Sequence, residues 1–233
     1  MSSTEVPVPA LQPGAEDTDN QVVLARQAIL DETRAVFGYE LFDRTIAANS
    51  HTAASDAALL FNALSYAGSE ALGGKKIVFI NCTHESLAGG HLELIHPDKV
   101  VLEVPTLAAN ATPEQIEQLL PTLQALRTRG FRLAFSQDVL RRAYASWLPL
   151  ATFIKLDMLA IKPELIEPLV KYVRANSQAT LIAEKVETAE QHERMAALGV
   201  KLFQGYWFAR PAMVKAQTIR PSQATIIQLI NLV

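Results

Sequence analysis

Residues 131–186 read FRLAFSQDVLRRAYASWLPLATFIKLDMLAIKPELIEPLVKYVRANSQATLIAEKV, and the alternation inside this stretch decides the fold class. FRLAFS (131–136), FIKLD (153–157) and TLIAEKV (180–186) are short apolar runs, the pattern of strands covered on both faces. Between them, DVLRRAYASWL (138–148) and KPELIEPLVKYVRAN (162–176) carry helical patterns. Strands alternating with helices predict a parallel α/β fold.

The same texture continues on both sides. Upstream lie the strand patterns KIVFINC (76–82) and KVVLEV (99–104). The helix pattern PEQIEQLLPTLQALRTRG (113–130) follows, with Pro in its first turn and Gly at its end. Downstream, AEQHERMAALG (189–199) predicts a helix closed by Gly199, and KLFQGYW (201–207) a last strand. Near the start, VVLARQAILDE (22–32) and AVFGYELF (35–42) read as a hairpin or strand pair. Residues 55–74 predict a helix capped by Ser55-Asp56 and stopped at Gly73-Gly74. No G-x-G-x-x-G or G-x-x-x-x-G-K-[ST] follows any strand, so the best-marked open-sheet families are removed. An open sheet and a closed barrel both remain on pattern alone.

Composition bounds the rest. The chain has 233 residues and is 49% apolar, enough for one large core. Its formal net charge of −3 gives no broad basic surface, which argues against nucleic acid as a partner. The single cysteine, Cys82, forms no internal disulfide, and the expected location is the cytoplasm. No apolar run is long enough to cross a bilayer. Residues 1–20 are rich in Pro, Ser, Thr, Asp and Glu and read as a disordered leader. The barrel is expected over 21–213. The apolar tail over 214–233 reads as a C-terminal helix or the start of a following domain.

Polar residues gather at the C-terminal ends of the strand patterns: Glu40, Asn81, Glu103, Ser136-Gln137, Lys155 with Asp157, Glu184 with Glu187, and Gln204. In a barrel this face is where active sites are built. Glu and Asn are hard oxygen ligands suited to Mg²⁺ or Mn²⁺ rather than zinc. Lysine neutralises a phosphate or holds a carboxylate in its charged form.

Several of these motifs resemble the EAL domain family. AEKVET (183–188) with LGVKLFQGYWFARP (198–211) is similar to the family's closing segment, AEGVET…QGY…P. FIKLD resembles its lysine-bearing strand, and GYELFDR (38–44) resembles E-A-L-x-R. FINCTHESL (79–87) resembles its asparagine strand, VLEV (101–104) its second glutamate strand, and ARQAI (25–29) its opening strand.

The resemblance implies a modified TIM (β/α)8-type barrel with an irregular or antiparallel first strand. It also implies descent from enzymes that hydrolyse cyclic di-GMP to pGpG with two divalent metals. On it, Glu40, Asn81 and Glu103 match metal ligands, and Lys155 matches the lysine near the attacking water. Glu184 and Glu187 match the acids of the closing motif. Gln27, Arg44 and Gln204 match ligand-side positions.

The likeness breaks in one place that matters most. Where the family has D-D-F-G-T-G, this chain has Ser136-Gln137 followed by Asp138-Val139-Leu140-Arg141. Two divalent cations a few ångströms apart repel, and bridging carboxylates normally offset that repulsion. Neutral Ser and Gln do not. Lys185 also replaces the glycine of the closing motif, and Leu41-Phe42 after Glu40 is bulkier than the family pattern.

The expectation is therefore a degenerate signalling module with vestigial catalytic residues. No cofactor is required, and at most one weakly bound Mg or Mn is expected. Its expected partners are cyclic di-GMP, signalling proteins and a second copy of itself. The alternative is an active phosphodiesterase in which Asp138 rescues the metal site. The short opening strand also resembles EAL domains fused to a following HDOD domain.

Overall fold

The computed structural model describes residues 21–43 and 76–217. The expected helix over 55–74, Arg44 and the leader lie outside the described residues.

Nine strands form one sheet: β1 (Gln21–Asp31), β2 (Val36–Asp43), β3 (Ile77–Asn81), β4 (Val100–Val104), β5 (Arg132–Ser136), β6 (Phe153–Asp157), β7 (Thr180–Glu184), β8 (Leu202–Phe203) and β9 (Ala212–Gln217). β2 to β8 follow in order with parallel pairing. β1 closes the barrel by pairing antiparallel with β2 on one side and β8 on the other. This is the expected barrel with an antiparallel first strand. β9 adds antiparallel to the first half of β1. It was not anticipated, and it runs through the boundary expected at residue 213.

Alternation along each strand separates two apolar layers. Ile29, Phe79, Val101, Ala134, Phe153, Ile182 and Leu202 fill the barrel's interior, and β2 adds the partly buried Phe37 against Phe79 and Phe153. β2 places Gly38 opposite Ile29. A Cβ on Gly38 would come within 2.6 Å of the Ile77 carbonyl oxygen, so the strands touch there. The alternate residues, among them Val78, Ile80, Leu102, Leu133, Ile154 and Leu156, pack outward under the helices.

Local chemistry sets the helix ends. α1 (Pro113–Thr128) opens with a capping box, in which the Thr112 hydroxyl accepts from Gln115 N–H and the Gln115 side chain accepts from Thr112 N–H. α2 (Pro163–Asn176) starts on Pro163. α3 (Ala189–Ala197) is boxed by Thr188 and Gln191 and stops before Gly199, whose φ of +72° suits glycine.

One expected helix is absent. DVLRRAYASWL forms short 3₁₀ turns, Gln137–Leu140 and Arg142–Tyr144, with a third at Leu148–Leu150. Two aromatic anchors explain the change. Tyr144 and Trp147 are fully buried and stacked edge to face, with ring centroids 4.9 Å apart. The Tyr144 hydroxyl accepts from Leu107 N–H at 2.9 Å, and Trp147 Nε1–H donates to the Ile116 carbonyl at 3.3 Å. Val139 and Leu148 are buried with them, so contacts to distant carbonyl and amide groups override a helix-compatible spacing. No described helix is long and apolar enough to cross a membrane.

Candidate functional site

One layer above the apolar filling, each of the eight barrel strands turns a polar side chain toward the axis: Gln27, Glu40, Asn81, Glu103, Ser136, Lys155, Glu184, and Gln204 just past β8. Lys155 is at the centre. Its ammonium lies 3.0 Å from Glu40 Oε2, 2.8 Å from Glu103 Oε2 and 3.1 Å from Glu184 Oε2. Asn81 Nδ2 donates to the other Glu40 oxygen at 3.1 Å. Gln204 Nε2 donates to Glu40 Oε2 at 2.7 Å and reaches Gln27 Oε1 at 3.3 Å. Gln27 in turn donates to the Ala209 carbonyl at 3.1 Å. Glu40, Glu103, Lys155 and Gln204 are all buried.

Three carboxylates around one ammonium leave an excess of negative charge. Burial of Glu103, then repulsion from Glu40, pushes its carboxyl from its ordinary 4.5 up to about 8, although Lys155 opposes the shift. For Lys155, burial disfavours the charge. The attraction of Glu103, Glu40 and Glu184 outweighs it and holds the lysine well above its usual value.

The sign for stability follows from Glu103. The folded chain holds a proton there that the unfolded chain releases, so Glu103 lowers stability progressively as pH rises from about 4.5 to about 8. Glu103→Gln should therefore flatten the stability profile across that window. Urea unfolding at stepped pH checks it. An unchanged downward slope would remove Glu103 as the cause.

A cavity of about 320 Å³ opens above the layer. Its walls include Glu40, Phe42, Asn81, Glu103, Ser136 and Lys185. Phe42 narrows it, as its bulk suggested, whereas Leu41 faces away into the outer apolar layer. Glu103 Oε1 is buried with no hydrogen-bond partner, as is Gln204 Oε1. An orphaned carboxylate oxygen beside Glu40 and Asn81 fits a single hard divalent cation held by those three side chains. Ser136 and Gln137 offer no carboxylate for a second ion. Ser136 Oγ only receives Asp138 N–H, and Gln137 Oε1 receives Asp157 N–H at 3.1 Å.

Two expected residues are not brought into the layer. Glu187 is exposed past the end of β7, its backbone N–H bonded to Gln191 Oε1. Asp138 is exposed beside Arg141, 3.9 Å from Nε, and is not part of the cavity wall. Strand alternation would put Asp138 on the face of Ser136, but the 3₁₀ turn starting at Gln137 ends that alternation and leaves Asp138 exposed.

A family model described as "EAL domain" matches residues 31–211. The chain belongs to the EAL domain family. Cyclic di-GMP phosphodiesterase CdgJ of Vibrio cholerae is 29% identical over 225 residues, 92% of this chain and 50% of that protein. This chain spans about half the length of the curated relatives it matches. Klebsiella pneumoniae BlrP1, solved with manganese and cyclic di-GMP, shares the fold at a TM-score of 0.63 and 22% identity, covering 88% of this chain and 59% of that one. Bacillus subtilis YkuI, solved with cyclic di-GMP and calcium, does so at 0.62 and 20% identity, covering 92% and 61%.

Within this EAL domain, Asp157 is the polar residue whose part was not foreseen. Its Oδ1 accepts from the N–H groups of Leu159 at 2.8 Å and Ala160 at 3.1 Å, and Oδ2 accepts from Lys185 at 2.5 Å. Burial works to raise its pKa, but these donors together lower it. The signal was present in FIKLD: Lys155 and Asp157 are two apart, so both face inward.

Proposed function

We propose that this EAL domain is a degenerate signalling module without phosphodiesterase activity, acting through protein contacts as a domain that responds to cyclic di-GMP. The observation that carries the reading is at the end of β5. Ser136 and Gln137 stand where the family pattern has paired aspartates, and their side chains are engaged by N–H groups. Asp138 faces solvent beside Arg141 and supplies no substitute.

What remains is a binding layer. Glu40, Asn81 and Glu103 would hold one divalent cation, which would neutralise a phosphate oxygen of the ligand when bound. Lys155 keeps the three surrounding glutamates from repelling one another. Gln204 donates to Glu40 and to Gln27, which fixes the Glu40 carboxylate in the layer. Without a bridging anion, the layer lacks the means to hold two cations together.

The test is incubation with cyclic di-GMP and excess Mn²⁺ or Mg²⁺, followed by chromatographic separation of linear product. No turnover above a buffer control is expected. Calorimetry on the same chain, with and without Mg²⁺, should show binding that the cation strengthens. Turnover that disappears in Glu40→Ala would establish the alternative, an active phosphodiesterase. Absence of binding at high micromolar ligand would reduce the role to protein contacts alone.

A further inference from the structure

Two of the departures from the family pattern, Gln137 and Lys185, converge on one residue. Gln137, from the end of β5, accepts the Asp157 backbone N–H. Lys185, from the end of β7, donates to the Asp157 carboxylate at 2.5 Å. Asp157 sits between them at the end of β6, nine-tenths buried. The ends of three successive strands are thus tied by side chains that the family pattern does not carry at 137 and 185.

Lys185 holds its place against backbone preference. Its φ is +56°, the left-handed region where glycine is at ease and a lysine is disfavoured. The backbone has kept the geometry of a glycine position while the side chain has changed. A side chain retained at such a position implies a compensating contact, and the bond to Asp157 is that contact. Lys185 also lines the cavity with Ser136 and Glu184.

We propose that Lys185 is a built-in cation that takes the place of the second metal, so that two changes, not one, separate this chain from a two-metal site. The inference rests on the proposed loss of hydrolysis and explains how the cavity rim tolerates it. Asp157 keeps a positive partner without any ion from solution. Restoring acids at 136 and 137 would then place new carboxylates beside a fixed ammonium, which competes with a divalent ion for them.

The experiment compares two multiple variants of the whole chain. One carries Ser136→Asp and Gln137→Asp. The other adds Lys185→Gly. Mn²⁺ binding is measured by calorimetry, and the Mn²⁺-dependent rise in Tm gives a second readout that does not involve turnover. The triple variant should bind Mn²⁺ at least tenfold tighter than the double variant and gain more in Tm. Equal affinity in the two, whether tight or absent, overturns the proposal. A control in the parent chain, Lys185→Met, which keeps an unbranched side chain and removes the charge and the donor, should lose Tm without added metal. An unchanged Tm would show that the Asp157 contact does not hold Lys185 in place, and would overturn it equally. Wild-type turnover in the preceding assay would sink the loss of hydrolysis while leaving the difference between double and triple variants readable on its own.

Discussion

Gly205→Ala should give little or no folded protein. A Cβ at Gly205 would come within 2.1 Å of the Val186 carbonyl oxygen and 2.3 Å of its nitrogen. Those are backbone atoms and cannot rotate away. Val186 is itself pinned, donating to the Gln204 carbonyl at 3.0 Å and accepting from Trp207 N–H at 3.1 Å. The clash must be relieved by moving the turn that follows β8. That turn carries the Gln204 side chain and the Ala209 carbonyl that Gln27 bonds. Overpacking of ordinary core side chains already costs about 1–3 kcal/mol, and a backbone-to-backbone clash should exceed about 3 kcal/mol. Soluble yield and the midpoint of urea unfolding are the measures. A variant within about 1 kcal/mol of the parent would show that the turn yields cheaply, and the fixed seat of Gln204 would have to be abandoned.

Lys155→Met should be the next most damaging change. Methionine fills similar volume, so the result isolates charge. Glu40, Glu103 and Glu184 would face one another in a buried layer with only the amides of Asn81 and Gln204 as donors. Removing one partner of a buried ion pair costs about 3–5 kcal/mol, because the remaining charge is left uncompensated. For a chain of this size that corresponds to a fall in Tm of roughly 10 °C or more. The loss should shrink on acidification from pH 8, since Glu103 then takes up a proton and ceases to repel its neighbours. Thermal scans of parent and variant from pH 8 to pH 5 decide it. A gap that stays constant with pH would mean that packing, not charge, sets the cost.

These two residues also mark what could be read beforehand and what could not. Lys155 was legible as a candidate because a charged group inside an apolar strand needs a partner when buried. Glu40, Asn81 and Glu103 were legible for the same reason, each ending a run of β-branched and aromatic residues. Asp138 and Glu187 are also acids at strand ends, yet they face solvent. Nothing in the sequence distinguishes them, because facing depends on where the strand stops and which turn follows. The helix expected over 138–148 failed for a related cause. Its apolar residues looked helical as a set, but Tyr144 and Trp147 are anchored by distant carbonyl and amide groups, and the backbone follows them. β9 was missed because its partner is β1, nearly 200 residues earlier, and no local pattern announces a long-range pairing.

By itself, the sequence determined the alternation of strand and helix, the family, and the neutral pair Ser136-Gln137 at the end of a strand pattern. Those are properties of residue type and spacing, and both survive without coordinates. Only the tertiary structure decided that Lys155 is shared by three glutamates, that Asp138 points away, and that Gln137 and Lys185 meet on Asp157. Closing a barrel brings eight strand ends from distant parts of the chain into one layer. Which charges then lie within 3 Å of each other is set by strand register and by the direction of each final turn, and neither is written in any single segment.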